Sequence, residues 1–189
     1  GRKDKQVKYK GYRIELSEIE ILTMSCAIVE SYKIEGRMKS PEYVGFITKY
    51  YRKLIDTYAS TYSLEEDTNK WKTIFNRGFT EGRMFKVSDQ DLMNINTPTH
   101  IGLEIGRVVE VTEKKIKLEL ERPLNQQDGI RFLKSGTGFI VNYLYDENGN
   151  FINSANKYCW IDNKVGLTKK DIVCKTIDYT LMQELKKLP

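Results

Sequence analysis

Three charged side chains around one predicted strand are the strongest chemical signal in this sequence. Residues 31–35 alternate in polarity, which places Lys33 and Glu35 on one face of the strand, and Arg37 follows where the strand ends. A carboxylate between basic groups can act as a general base or orient a basic neighbour, while the basic groups can bind a peptide carboxylate or another anion. We therefore take Lys33, Glu35 and Arg37 as candidate catalytic residues.

The same charges also fit a structural role. In a barrel of alternating strands and helices, such a strand would send Lys33 and Glu35 inward and deliver Arg37 to the carboxyl-terminal rim, where these barrels gather their chemistry. An internal Lys–Glu pair could equally fill the barrel, because buried charges need partners whether or not a substrate is present. The sequence leaves both interpretations open.

A helix that begins directly after this strand must help to position it. Ser40, Pro41 and Glu42 are typical of a helix start, since they supply a capping hydroxyl, a fixed φ and an acidic first turn. Apolar residues then recur every three or four positions over 43–58, which predicts a helix with a broad buried face. The other elements predicted in this half are a helix over 17–26, a strand over 28–36 and a helix over about 64–75.

A glycine-rich segment over 76–82 is a second candidate site. Its backbone amides and the guanidinium of Arg77 could approach a ligand beside Phe79. The alternative is a tight connection in which Phe79 packs one domain against the next. We take Arg77 and Phe79 as candidate substrate-binding residues.

The pattern changes after the turn-rich stretch 94–99. Short alternating runs predict a small antiparallel β-barrel, and the apolar spacing behind Asp178 predicts a short terminal helix. We therefore predict two domains, 1–96 and 97–189. The predicted strands cover 101–111, 115–120, 130–133, 139–145, 158–161 and 171–175. Residues 124–129 are predicted to form a turn in which Asp128-Gly129 tolerates positive φ and the Asn125 side chain bonds its own backbone.

Aromatic residues on the predicted barrel strands suggest a binding face. Small β-barrels often bind oligonucleotides, sugars or peptides on one face, and Tyr143, Tyr145, Tyr158 and Trp160 could form a stacking platform there. Aromatic residues in strands also serve as core or surface cover. We take Tyr143 and Trp160 as candidate substrate-binding residues.

Composition excludes several classes of function. With 40% hydrophobic residues among 189 and no apolar run near the roughly 20 residues of a membrane span, we expect a cytoplasmic protein without a membrane partner. The net charge of +5 is modest, and the basic residues among the first thirteen could either meet phosphates or form a solvated, flexible end. Three widely spaced cysteines and one histidine predict reduced core thiols, no metal site, no cofactor held by this chain, and neither a cysteine nor a serine nucleophile.

Residues 32–44 and 75–82 together resemble the collagenase-like U32 peptidase family, and residues 98–102 and 124–130 are similar to its carboxyl-terminal extension. The likeness covers about 28–189. It implies that residues 1–96 are the last strand and helices of a TIM-like α/β barrel, whose other strands would precede Gly1, and that 97–189 form the family's C-terminal β-barrel. The expected fold class is therefore α+β. Gln127 stands where the family has a glycine.

The resemblance implies the carboxyl-terminal part of a peptidase in which the β-barrel helps to recognise a peptide or protein substrate. The alternative is an RNA-binding accessory module of an RNA-modifying, hydroxylation-type protein. The family's cysteine-rich signature lies upstream of the segment seen here, so a metal or iron–sulfur cluster would belong to that portion. We do not expect this chain to be catalytic alone, and its oligomeric state stays open.

Overall fold

A computed structural model describes residues 34, 39–56, 64–76, 78 and 99–187. The chain divides into two compact units, residues 1–34 with 78–96 and residues 35–77 with 97–189. Apart from Ile34 and Gly78, the described residues belong to the second unit. They form the helices α1 (Pro41–Asp56), α2 (Leu64–Ile74) and α3 (Tyr179–Leu185). The strands are β1 (Leu103–Val111), β2 (Lys115–Leu120), β3 (Leu124–Asn125), β4 (Gly129–Phe132), β5 (Gly138–Ile140), β6 (Leu144–Tyr145), β7 (Phe151–Ile152), β8 (Ser154–Ala155), β9 (Tyr158–Asp162) and β10 (Ile172–Ile177).

Eight of these strands form one antiparallel sheet in the order β5-β4-β10-β1-β2-β9-β6-β7, and β3 pairs with β8 in a second, two-stranded sheet. The chain runs from β3 into β4 and from β7 into β8, so this small sheet ties together the two ends of the large one. One core cluster draws residues from β1, β2, β4, β6, β9 and β10. The sheet is therefore curled and barrel-like, and the described part of the chain is an α+β fold, as predicted.

Strict alternation along β2 and β9 separates the core from the outer surface. In β2, Ile116, Leu118 and Leu120 are buried while the residues between them are partly exposed. In β9, Cys159 and Ile161 are buried in the same way. Because successive side chains point to opposite faces of a strand, every second residue of these strands lies on the outside of the sheet.

The predicted strands are confirmed with one correction. The run 139–145 is not a continuous strand, because it breaks at 141–143 between β5 and β6. At the break, the Val141 N–H donates to the Asp128 carbonyl and the Val141 carbonyl accepts from Gln127 N–H, so Val141 stays bonded to the turn before β4 while Leu144 and Tyr145 pair with β9. The two-residue strands β3, β7 and β8 were not predicted.

The predicted helix start after the charged strand is confirmed. Ser40 Oγ accepts from Tyr43 N–H at 3.3 Å, and Pro41 is the first helical residue. α1 then buries one face, on which Ile47 is fully buried and the Tyr50 ring contacts Trp71 of α2 at 5.7 Å. The helix over 17–26 and all but Ile34 of the strand over 28–36 lie outside the described residues, so the TIM-like part and the boundary near residue 96 stay predictions.

The turn over 124–129 differs from its prediction in two respects. Its first two residues form β3, and the Asp128 carboxylate, not the Asn125 side chain, accepts the backbone bond, from Asn125 N–H at 2.9 Å. Positive φ occurs at Gln127, with φ 72°, and not at Asp128 or Gly129. Gln127 thus holds a left-handed conformation that costs an L-residue with a Cβ about 1 kcal/mol or more.

A buried ion pair joins this turn to the end of the sheet. Lys175 Nζ lies 2.7 Å from Asp128 Oδ2, and the two side chains are 6% and 0% exposed. Asp128 Oδ1 also accepts from Tyr179 N–H at 2.9 Å, in the first turn of α3. Asp178 caps the same helix by accepting from Leu181 N–H at 3.0 Å, as its position before the predicted helix indicated. The turn, β10 and α3 are therefore held at one point.

We predict that Gln127→Gly stabilises the fold by about 1 kcal/mol, because glycine adopts positive φ without the Cβ penalty. Urea unfolding followed by circular dichroism measures the change. Gln127→Ala is the matched control, since it removes the amide and keeps the Cβ, and it should leave stability nearly unchanged. Equal stabilisation by both variants would show that backbone strain at this position is not the cause.

We predict that Asp128→Asn costs about 3–5 kcal/mol of unfolding free energy, because it leaves the Lys175 ammonium buried without a counter-charge. The double variant Asp128→Asn with Lys175→Met should recover much of that loss, since it removes the stranded charge. The same urea titration compares the three proteins. A double variant no more stable than Asp128→Asn would mean that the hydrogen bonds of the carboxylate, and not the pairing of charges, carry the effect.

Candidate aromatic binding face

Five of the seven predicted site residues lie outside the described residues: Lys33, Glu35, Arg37, Arg77 and Phe79. Their catalytic and binding roles stay predictions. The remaining two, Tyr143 and Trp160, lie on the outer surface of the barrel-like sheet.

Strand register builds one row of side chains across four strands of the sheet. Lys117 of β2 is opposite Trp160 of β9, Trp160 is opposite Tyr145 of β6, and Tyr145 is opposite Phe151 of β7. Their chain neighbours Leu118, Cys159 and Leu144 point into the core, so the row itself faces outward. We call this row, together with Tyr143 and Tyr158, the outward aromatic face. The charged residues around it include Lys115, Arg107, Glu119, Glu147 and Asp162.

Three rings at one end of this face form a compact group. The Phe151 ring lies 4.9 Å from Tyr145 at 35° and 5.6 Å from Tyr143 at 58°. Phe151 is 71% exposed and Tyr143 is 50% exposed, and they are the two most exposed large hydrophobic residues of the described chain. We call Tyr143, Tyr145 and Phe151 the hairpin cluster, because they flank the turn between β6 and β7.

Lysine ammonium groups lie against three rings of the face, those of Tyr145, Tyr158 and Trp160. Lys115 Nζ is 3.5 Å from the centre of the Tyr145 ring. Lys117 Nζ lies between Tyr158 and Trp160, at 5.5 and 5.8 Å from their centres. All three distances fall within the range in which a cation is attracted to an aromatic ring.

Carboxylates on the same face pair with these groups. Glu147 accepts from Lys117 Nζ at 2.7 Å, and Asp162 accepts from the Tyr145 hydroxyl at 3.1 Å. Glu119 accepts from Arg107 Nε at 2.6 Å and from the Tyr158 hydroxyl at 3.0 Å. The positive and negative charges of the face therefore largely balance.

These contacts shift the pKa values of Glu119, Tyr145 and Tyr158. The hydrogen bond from Arg107, and then that from Tyr158, lowers the pKa of Glu119. The hydrogen bond to Glu119 raises the pKa of Tyr158, and burial followed by the bond to Asp162 raises the pKa of Tyr145. Both tyrosines therefore stay protonated at neutral pH and donate to the Glu119 and Asp162 carboxylates. Their hydroxyls are occupied, which leaves ring faces and edges for a ligand.

The structure brings Tyr143 and Trp160 onto one surface, where Phe151, the last member of the row, contacts the Tyr143 ring. Phe151 was missed because its strand has only two residues. The signal for it was the sequence Asn148-Gly149 just before it, a dipeptide typical of tight hairpin turns. A hairpin there would have placed Phe151 beside Tyr145.

His100 has a structural role in the fold. His100 Nδ1 accepts from Asn76 N–H at 2.9 Å, and its Nε2 lies 3.0 Å from the Thr176 carbonyl, which fits a neutral ring protonated on Nε2. It joins the end of α2 to β10. Gly102 follows close by, where a Cβ would lie 2.3 Å from the Lys175 carbonyl, so this position requires glycine.

The described cysteines are core residues, as predicted. Cys159 and Cys174 are buried, and burial raises the pKa of Cys159 to about 12 and that of Cys174 to about 11. Cys26 lies outside the described residues. Within the described ranges, no group of three His, Cys, Asp or Glu residues is arranged to hold a metal ion. No helix in that same part of the chain combines the length and apolar character needed to cross a membrane.

Comparison with known proteins gives the family. Residues 9–94 match the sequence profile of peptidase family U32. An uncharacterized protease of Methanocaldococcus jannaschii is 30% identical over 136 residues, which are 67% of this chain and 33% of that protein. A collagenase of Porphyromonas gingivalis is 40% identical over 63 residues, which are 31% of this chain and 18% of that protein. The chain belongs to peptidase family U32.

The chain is also similar to an RNA-modifying enzyme and to a solved structure. The 23S rRNA 5-hydroxycytidine synthase of Escherichia coli is 29% identical over 126 residues, which are 60% of this chain and 19% of that enzyme. A crystal structure of a U32-type C-terminal domain from Geobacillus thermoleovorans covers 39% of this chain and 91% of its own, with 15% identity and a TM-score of 0.36. The chain spans a third or less of the curated relatives it matches.

We predict that Cys159 and Cys174 do not react with iodoacetamide in the folded protein at pH 8, because the thiolate is the reactive form and both pKa values lie far above that pH. Peptide mapping by mass spectrometry after a timed exposure locates the modified cysteines. The same treatment in urea is the control and should label both. Rapid labelling of either thiol in the folded protein would contradict its burial.

Proposed function

We propose that the outward aromatic face recognises the substrate of a U32-family peptidase by holding a peptide segment in an extended conformation across β2, β9, β6 and β7. The single observation that carries this proposal is the row from Lys117 through Trp160 and Tyr145 to Phe151, built by strand register. Neighbouring strands lie about 4.8 Å apart, so the row presents successive rings along a line that an extended chain can follow.

The exposure of the rings supports a binding role. Phe151 and Tyr143 are well exposed and contact each other, so they form a patch and not two isolated apolar residues. Clustered aromatic residues are enriched at binding surfaces because they offer large contact areas with little side-chain entropy to lose.

The balance of charge favours a peptide ligand. Lys117 is paired with Glu147, and Glu119 and Asp162 bring further negative charge to the face. A polyanion would meet these carboxylates at close range, whereas a peptide backbone carries no net charge. The names of the Methanocaldococcus and Porphyromonas relatives, a protease and a collagenase, agree with a peptide substrate.

The chemical step is proposed to depend on groups outside the described surface. Lys33, Glu35 and Arg37 remain the candidates for it, with Arg77 and Phe79 as further substrate contacts. In this proposal the barrel-like sheet increases the affinity for substrate and does not itself break a bond.

RNA binding is the second candidate function. One relative carries the name of an rRNA-modifying enzyme, and Lys115, Lys117 and Lys157 lie beside rings on which bases could stack. Binding through phosphates would weaken steeply as salt rises, because counterions are released on binding. Binding of a peptide to rings would depend far less on salt.

We predict that the chain binds fluorescein-labelled peptides of heat-denatured collagen and that Trp160→Ala weakens this binding about tenfold, as expected for a central aromatic contact. Fluorescence anisotropy at low and moderate salt measures the affinity, and circular dichroism checks that the variant is folded. Tyr179→Ala is the matched control, because it removes an exposed aromatic residue at the start of α3 and should leave affinity unchanged.

A second readout uses the two tryptophans of the chain. In a Trp71→Phe background the remaining emission comes from Trp160, and it should shift on addition of the peptides. An unchanged emission, or equal affinity of the Trp160→Ala and Tyr179→Ala proteins, would contradict the proposed face. Salt-sensitive binding of single-stranded RNA, with none of the peptides, would establish the second candidate instead.

A further inference from the structure

We propose that the hairpin cluster selects a positively charged side chain, arginine or lysine, in the peptide that the outward aromatic face binds. This inference rests on the proposed function and adds the chemical class of residue that the face prefers. It concerns Tyr143, Tyr145 and Phe151, and the acidic turn between β6 and β7.

The arrangement of the three rings suits a cation. The faces of aromatic rings carry negative potential, and the attraction is strongest where several faces converge. Phe151 lies between Tyr145 and Tyr143, and it is tilted against them by 35° and 58°. The rings therefore form angled walls and not one flat layer, while 71% of Phe151 and 50% of Tyr143 stay open to solvent.

The protein already places its own cations against neighbouring rings. Lys115 Nζ lies 3.5 Å from the centre of Tyr145, and Lys117 lies near both Tyr158 and Trp160. Within residues 99–187 the ring–cation contacts involve Phe139, Tyr145, Tyr158 and Trp160 but neither Phe151 nor Tyr143. The two most exposed rings of the cluster thus remain open to a cation from a ligand.

Charge complementarity favours a cation at this end of the face. The segment 143–152 contains Asp146 and Glu147 and no basic residue. The charged groups of the adjoining strands that contact it are Lys115 and Lys117 of β2 and Asp162 of β9. Three carboxylates against two ammonium groups leave the hairpin end with a net negative charge.

The turn is built to keep its charge in place. The Asp146 carboxylate accepts from the backbone N–H groups of Asn148 and Asn150 at 2.9 and 2.8 Å, and from Asn150 Nδ2 at 3.0 Å. The Asn150 side-chain bond, followed by the backbone bonds, lowers the pKa of Asp146, so this carboxylate is ionised at neutral pH. Asp146 therefore adds a fixed negative charge to the turn that joins Tyr145 to Phe151.

A matched pair of peptides tests the inference. One short labelled peptide carries arginine in a glycine–serine background, and the other carries citrulline, a neutral isostere, at the same positions. Anisotropy titrations of the full chain should give an affinity about fivefold higher for the arginine peptide, the factor expected of one exposed cation–ring contact. A lysine peptide and its acetyl-lysine counterpart form a second pair.

Phe151→Leu isolates the aromatic contribution, because leucine keeps an apolar side chain and removes the ring. We expect the ratio of arginine-peptide to citrulline-peptide affinity to fall close to one in this variant, even where loss of the ring weakens the binding of both peptides. Tyr179→Leu is the control and should keep the full preference. Retention of the preference in Phe151→Leu would overturn the role of the cluster.

The outcomes separate this inference from the function on which it rests. Equal affinity for the arginine and citrulline peptides, with binding still weakened about tenfold in Trp160→Ala, would overturn the inference and leave the proposed face in place. Failure of both peptides to bind would overturn the inference and the proposed function together. Sedimentation showing that the chain self-associates, and that Phe151→Leu prevents it, would also overturn the inference, since a second copy would then cover the cluster.

Discussion

The buried pair of Asp128 and Lys175 is the constraint around which the described fold is organised. Moving either charge out of water alone costs several kcal/mol, so each side chain is stable inside only in the presence of the other. The Asp128 carboxylate also accepts from the backbone of Asn125 and of Tyr179. A single group therefore sets the positions of β3, β10 and α3 at once. Because β3 then pairs with β8, the same group also influences how the large sheet curls.

The curl of the sheet has a direct effect on its outer surface. A core inside the sheet requires every second residue of β2, β6 and β9 to be apolar, and the alternate residues must then point outward. Strand register places those outward residues opposite one another, which yields the row from Lys117 to Phe151. The outward aromatic face is thus a consequence of the packing that forms the core.

Much of this architecture could be predicted from the sequence, and the failures have physical causes. Ser40 and Asp178 indicated the starts of two helices, because capping depends only on residues close in sequence. The longer strands could be predicted because alternation over five or more residues is a strong signal. The strands β3, β7 and β8 have two residues each, too few to alternate. Long-range pairing, and not local preference, makes them strands.

Long-range pairing also explains why the outward aromatic face was only partly predicted. Tyr143 and Trp160 were recognisable as candidates, but Phe151 follows from a hairpin pairing that is settled only in three dimensions. The Asp128–Lys175 pair was also beyond reach, since 46 positions separate its members in the sequence. The positive φ of Gln127 was hidden for a related reason: the conformation is imposed by the bonds of its neighbours to Asn153, Val141 and Asp128.

The way in which the tyrosines are held bears on what the face can recognise. Tyr158 and Tyr145 give their hydroxyl protons to Glu119 and Asp162, so these hydroxyls have little capacity left to donate to a ligand. Recognition by these rings must then depend on their apolar area and on the negative potential of their faces. Neither property distinguishes the hydrogen-bond donors and acceptors of one ligand from those of another. A face of this kind distinguishes ligands by shape and charge. That property suits a protein that must hold many different segments of an extended chain, with a preference only where a charged side chain meets the hairpin cluster.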